Sequence, residues 1–129
     1  MSAVDVLIVV DTDGAASSGD LQNNVSLVEE TVGVNSQIKQ YCELMTYCKA
    51  GQTINWKAIP KSPESAVEIL DFQGLIVQGI CKPKRKDIFS GIWEGQVSPS
   101  SKGIYQYTVD LIFDGIRMTF NPYLMVNRE

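Results

Sequence analysis

Aspartates that directly follow an apolar strand form the most catalytic-looking motif in this chain. In the stretch VDVLIVVDTDGAASSG, residues 4–19, six apolar side chains precede the sequence DTDG, which begins at Asp11. An aspartate at the end of a buried strand can serve as a nucleophile that accepts a phosphoryl group. Asp11, Asp13 and Asp20 could also supply oxygen ligands to a cation at the edge of a sheet. The segment therefore raises two chemistries, phosphoryl transfer and calcium binding.

The surroundings of Asp11 favour a turn over a phosphatase of the haloacid-dehalogenase type. Such a site needs a parallel sheet with crossover helices, and no alternation of strands with helical segments of about 10 to 15 residues follows. Ala15 stands where those enzymes usually have Thr or Val, and it also occupies the fifth position of an EF-hand loop. We keep Asp11, Asp13 and Asp20 as weak metal candidates and expect neither a resident metal nor a cofactor.

Histidine is absent from the chain, which excludes Ser-His-Asp, Cys-His and His-zinc chemistry. The three cysteines are Cys42, Cys48 and Cys81, and the Cys-x5-Cys spacing of the first two fits no zinc or redox motif. We expect them to be buried thiols in a reducing compartment. Glycine-rich loops that cradle phosphates are also absent from the sequence. The sequence predicts a protein that is not an enzyme.

Two tryptophans suggest carbohydrate binding as an alternative function. Trp56 and Trp93 each lie in a predicted strand with polar neighbours, and a sugar ring can stack on an exposed indole face. Tryptophans in a small sandwich are more often part of the core, because their apolar area is large. Both interpretations remain open at this point, with Trp56 and Trp93 as candidate ligand-binding residues.

The charge balance argues against nucleic-acid and anionic-membrane partners. The chain has 129 residues, with 11 Lys+Arg against 15 Asp+Glu and a net charge of −4. The run KPKRK at residues 82–86 is a local exception that could meet a phosphate, although it fits a solvated loop beside a strand. The N-terminal region predicts neither a signal peptide nor a membrane span, so we expect a cytoplasmic protein.

The elements that would position these residues are mostly strands. Runs of β-branched and aromatic residues between Gly, Pro, Asn and Ser clusters predict an all-β fold, an antiparallel, jelly-roll-like β-sandwich that forms one domain over residues 1–129. The predicted strands are Val4–Val10, Asn24–Thr31, Thr53–Ile59, Ala66–Phe72, Leu75–Cys81, Ile88–Val97, Ile104–Phe113 and Ile116–Val126.

The segment Gln37–Lys49 fits two periodicities. Apolar residues at helical spacing favour an amphipathic helix, whereas Cys42, Leu44, Thr46 and Cys48 share one face of a strand. Because the surroundings are all-β, we predict a strand.

The clearest local signal is a hairpin around Asp114-Gly115. Asp tolerates and Gly prefers positive φ, so this pair predicts a two-residue type I′ turn. The register then pairs Leu111 with Met118 and places Asp110 diagonal to Arg117 on the opposite face. Turn chemistry and the apolar pattern agree, as a specified register requires.

Over roughly residues 4–126 the chain contains, in this order, the stretches DVLIVVDTDGA, NNVSLVEE, CELMTYCKAGQTINWKAIP, GQVSPSSKGIYQYTVDLIFDG and RMTFNPYLMV. In the order and spacing of these stretches the chain resembles the AidA/PixA family of bacterial inclusion-body proteins. The resemblance implies a small, cytoplasmic, non-enzymatic β-sandwich that self-associates into inclusions and is linked to quorum sensing. We expect a homo-oligomer with Ile112, Tyr123 and Met125 as candidate interface residues; a carbohydrate is the alternative partner.

Overall fold

The structure consists of two β-sheets that share one core. The computed structural model describes residues 3–30, 38–41, 44–74 and 79–127. In chain order the elements are β1 (Val4–Val10), α1 (Thr12–Ser18), β2 (Val25–Glu30), β3 (Ile38–Tyr41), β4 (Met45–Lys49), β5 (Thr53–Pro60), β6 (Val67–Gly74), β7 (Lys84–Arg85), β8 (Trp93–Gln96), β9 (Gly103–Phe113), β10 (Ile116–Phe120) and β11 (Tyr123–Asn127).

The prediction of an all-β sandwich fold is confirmed, although the sheets are mixed and not purely antiparallel. The first sheet has the order β3-β2-β1-β5-β8-β7, and the second has the order β10-β9-β11-β4 with β6 paired to β9. Two pairs are parallel, β1 with β5 and β11 with β4. In a parallel pair the chain leaves the first strand at one end of the sheet and must cross to the opposite end before it enters the second strand, and no local turn signal announces such a crossover.

The core follows from alternation along the strands. In β1 every second residue is buried, from Val4 to Val10, because successive side chains point to opposite faces of a sheet. The same alternation in β9 buries Tyr107, Val109 and Leu111. These residues belong to a continuous apolar cluster that includes side chains from both sheets. Burial of this shared face is the main force that holds the two sheets together.

The predicted hairpin between β9 and β10 is confirmed. Leu111 pairs with Met118 and Val109 pairs with Phe120, as the alternation indicated. The two turn residues have positive φ, +49° at Asp114 and +81° at Gly115. These angles match the type I′ turn that the Asp-Gly pair favours.

Several strand boundaries differ from the prediction. The long strand predicted at Ile116–Val126 is broken between β10 and β11 at Pro122, which has no N–H to donate to a sheet. Of the strand predicted at Ile88–Val97, only Trp93–Gln96 forms a strand. Residues 75–78 lie outside the described residues, and the remaining part of Leu75–Cys81 is not a strand.

The ambiguous segment Gln37–Lys49 is extended where the structure describes it. Ile38–Tyr41 forms β3 and Met45–Lys49 forms β4, which confirms the strand interpretation there; Cys42 lies outside the described residues. Tertiary pairing decides this outcome, because β3 pairs with β2 and β4 pairs with β11.

Replacing Leu111 by alanine should destabilise the protein by roughly 2 to 5 kcal/mol, the usual range for a buried leucine. Leu111 is fully buried, at 0% exposure, at the centre of the core. Urea unfolding measures the loss. Ile104→Ala is a matched control on the same strand, since Ile104 is 56% exposed, and it should cost far less. A loss under about 1 kcal/mol for Leu111→Ala would contradict its core position.

Candidate functional site

The Asp11 segment forms a capped helical turn. Asp11 precedes α1 as its N-cap, and its Oδ1 accepts a hydrogen bond from the backbone N–H of Gly14 at 3.1 Å. At the other end, Gly19 has φ +71° and its N–H donates to the carbonyl of Ala15. Sequence reasoning missed this helix, although an Asp N-cap and a Gly C-cap with seven residues between them were its signal. The Asp11 carboxylate satisfies the backbone of the turn, which is a structural role.

The three aspartates of this region do not converge on one point. Asp13 is exposed in the first turn of α1, and Asp20 accepts hydrogen bonds from Asn23. Within residues 3–30, 38–41, 44–74 and 79–127, no group of three or more Asp, Glu, Cys or His side chains could hold a metal ion. This arrangement does not favour a cation site at Asp11, Asp13 and Asp20, which stay weak candidates.

We expect Asp11→Ala to cost about 1 kcal/mol of stability, because the N–H of Gly14 loses its acceptor. Asp11→Asn should retain most of the stability, since asparagine also caps helices. Urea unfolding compares the variants. Incubation with beryllofluoride followed by mass analysis tests whether Asp11 can instead accept a phosphoryl group. An adduct on Asp11 would overturn the capping interpretation.

Both candidate tryptophans lie in the core. Trp56 is 1% exposed and Trp93 is 8% exposed, so neither offers a ring face on which a sugar could stack. Their rings pack around Phe72, with centroid distances of 4.9 Å to Trp56 and 5.3 Å to Trp93. Trp56 and Trp93 therefore occupy the core, as their large apolar area favours, and the carbohydrate-binding interpretation has no exposed indole face to rest on.

A buried thiol and a buried phenol lie next to this aromatic cluster. Burial raises the pKa of Cys81 from 9.0 to about 12, and the neighbouring Cys48 adds to the shift. Burial also raises the pKa of Tyr107, whose hydroxyl accepts a hydrogen bond from Trp56 Nε1 at 3.3 Å. A thiol that stays protonated at neutral pH is a poor nucleophile, so Cys81 has a structural environment and not a catalytic one.

The free energy of unfolding should therefore decrease as the pH rises above about 9. The Cys81 thiol ionises near pH 9 in the unfolded chain but stays protonated in the folded protein. The stability that this pKa difference contributes is therefore fully present below pH 9 and is lost as pH rises toward 12. The slope is about 1.4 kcal/mol per pH unit for each such group. Urea unfolding between pH 8 and pH 11 measures it. Cys81→Ala should flatten the slope, whereas Thr12→Ala, which removes a buried non-titrating side chain, should not. Parallel slopes for the Cys81→Ala variant and the unaltered chain would contradict this assignment.

Asp110 is the one buried charged residue in the described β9–β10 hairpin. It is 1% exposed, and its carboxylate accepts hydrogen bonds from the guanidinium of Arg117, including two from Nε at 3.1 Å. The pairing raises the pKa of Arg117 and confirms the diagonal contact predicted from the register. A buried carboxylate needs such a partner to offset its desolvation, so this pair fixes the hairpin and leaves no reactive group exposed.

The outer side of the second sheet carries an exposed apolar surface. Strand pairing places Met125 between Tyr47 on one side and Ile104 on the other, so the three side chains form a row across β4, β11 and β9. Tyr47 is 49% exposed and Ile104 is 56% exposed. In the next row outward-pointing Tyr123 lies between Met45 and Gln106. We call the five residues Met45, Tyr47, Ile104, Tyr123 and Met125 the apolar face.

Two of the three candidate interface residues belong to the apolar face. Tyr123 and Met125 lie on it, half-buried between their neighbouring strands. Ile112 points the same way from β9 but lies eight residues beyond Ile104, about 26 Å along the strand. Sequence reasoning missed Tyr47 and Ile104. Ile104 could have been recognised, because it alternates with the buried residues of β9 and therefore points to the other face of the sheet. Tyr47 gave no such signal, because it joins the apolar face only through the non-local pairing of β4 with β11.

Fold and surface define this protein as a small sandwich of two mixed sheets whose outer side presents an apolar face. The chain belongs to a family described as Domain of unknown function (DUF8788), whose model matches residues 2–119. No curated protein matches the sequence. In the described part of the chain, no helix is long and apolar enough to cross a membrane.

Solved structures show what the fold is similar to. A crystal structure of an inclusion body protein (PixA) from Burkholderia cenocepacia J2315 matches with a TM-score of 0.66 at 11% identity, over 98% of this chain and 95% of that chain. An endo-fucoidan hydrolase of glycoside hydrolase family 107 has a TM-score of 0.39 at 10% identity, over 80% of this chain and 18% of that chain. The first likeness establishes a common fold, and the second is too low to support an argument.

Proposed function

We propose that this protein acts by self-association, as a non-enzymatic cytoplasmic protein whose copies contact one another through the apolar face. The observation that carries the proposal is the exposed row of Tyr47, Met125 and Ile104 across three hydrogen-bonded strands. Backbone pairing fixes the positions from which these side chains leave the sheet, so no backbone has to be ordered when the surface makes contact.

The surroundings of the row have the composition of an interface. Polar groups border it, with Gln106 beside Tyr123 and with Lys49 and Asn127 paired at the end of β4 and β11. An apolar centre with a polar rim is the usual arrangement of protein–protein contacts. A stable dimer buries roughly 800 Å² on each partner, so the contact must extend from the apolar face onto this rim.

The fold likeness supports the same proposal. The crystal structure with which this chain shares its fold is that of a protein named as an inclusion body protein. We propose that this chain likewise forms inclusions, is distantly related to the AidA/PixA proteins and is linked to quorum sensing. Carbohydrate binding, the alternative, loses its proposed platform, since both tryptophans are buried.

Light scattering over a range of concentrations tests the proposal, and we expect a mass that rises above 14.3 kDa. Ile104→Lys should weaken the association by at least tenfold, because a charged ammonium group would be desolvated within the apolar part of the contact. Ile116→Lys is the matched control, since Ile116 is also exposed but lies outside the apolar face. A mass of one chain at every concentration would defeat the proposal, as would equal effects of the two substitutions.

A further inference from the structure

The β7–β8 hairpin presents two large apolar side chains that the self-association proposal does not use. Ile88 is 80% exposed and Phe89 is 89% exposed, the highest values among the large apolar side chains of the described residues. They lie at the tip of the hairpin, in the first sheet, whereas the apolar face lies in the second. Adjacent, nearly fully exposed isoleucine and phenylalanine side chains are costly in water and point to a binding role.

Hydrogen bonds hold this tip in one shape. Asp87 Oδ1 accepts the backbone N–H groups of Phe89 at 2.8 Å and Ser90 at 2.7 Å. The N–H of Lys86 donates to the carbonyl of Ile92 at 2.8 Å and closes the base of the loop. The two N–H groups lower the pKa of the Asp87 carboxyl, which therefore stays ionised at neutral pH. Ile88 and Phe89 are thus displayed by an ordered turn.

A run of cations directly precedes the apolar tip in the chain. The run at residues 82–86 holds four of the 11 basic residues of the chain, so the rest of the chain carries 7 basic against 15 acidic residues. All four basic side chains of the run are exposed. Arg85 lies over the ring of Trp93, 5.7 Å from its centroid, and Lys84 pairs in register with Glu94. Asp87 and Glu94 offset part of this charge, but the hairpin keeps a net positive charge in an otherwise acidic protein.

We propose that the β7–β8 hairpin docks on an anionic lipid bilayer, with Ile88 and Phe89 inserted among the headgroups and the lysines against their phosphates and carboxylates. A convex apolar tip needs no matching pocket in a bilayer, whereas a protein partner would have to provide one. Electrostatic attraction to anionic lipid acts within about a Debye length, roughly 10 Å at 0.1 M salt, so the local charge of the hairpin outweighs the net charge of the chain.

Flotation with phosphatidylcholine vesicles, with and without phosphatidylserine, tests the proposal on the full chain. We expect binding only to the vesicles that contain phosphatidylserine, and release at high salt. Phe89→Ser should weaken binding about tenfold, because a large apolar side chain no longer leaves water. Lys86→Gln should weaken it roughly fivefold, the usual effect of one cation at an anionic surface.

Two matched controls separate the hairpin from the general surface. Ile116→Ser removes another exposed apolar side chain and Lys102→Gln another exposed lysine, and both should leave vesicle binding unchanged. Binding that does not require phosphatidylserine, or that survives Phe89→Ser, overturns the proposal. Light scattering without lipid gives the remaining outcome: if Phe89→Ser lowers the mass of the assembly, the tip contacts another copy of the chain and not a bilayer. The Ile104→Lys variant separates the two proposals, since loss of self-association should leave a single hairpin able to bind vesicles.

Discussion

A cluster of four aromatic rings joins the two sheets, and the arrangement of the other elements depends on it. Trp56 and Trp93 pair across β5 and β8 in the first sheet, while Phe72 and Tyr107 come from β6 and β9 in the second. The hydrogen bond from Trp56 Nε1 to Tyr107 Oη satisfies both polar groups inside the core. Because the rings occupy the inner faces, the two surfaces that we propose for binding lie on the outer side of the second sheet and on the β7–β8 hairpin.

Features set by neighbouring residues could be predicted from the sequence. The β9–β10 hairpin follows from Asp114-Gly115 together with alternation on both sides, and the two signals constrain the same register. Strand β1 was predicted with its observed limits, because its apolar residues end at an aspartate that caps the next element. In both cases neighbouring residues mark the limits of the strand, although β1 also depends on its pairing with the distant β5.

Features set by distant residues could not be predicted in the same way. Strands β4 and β11 are parallel neighbours although most of the chain lies between them, and the apolar face exists only because of this pairing. Tyr47 therefore gave no sign of meeting Met125. Trp56 and Trp93 are candidates for exposed residues because their sequence neighbours are polar. Those neighbours point to the other side of the strand, so they say little about whether the tryptophan itself is buried.

The acidic net charge of the chain affects binding through the β7–β8 hairpin and through the apolar face in different ways. Outside residues 82–86 acidic residues exceed basic ones, so we expect the β7–β8 hairpin to lead any approach to a bilayer of anionic lipid. The same excess opposes contact between copies, and the apolar face is where desolvation of Tyr47, Ile104 and Met125 can offset it. Because these surfaces belong to different sheets, a copy bound through its hairpin still has its apolar face available. Contact through one surface therefore does not preclude contact through the other, and a bilayer would concentrate copies and favour their association.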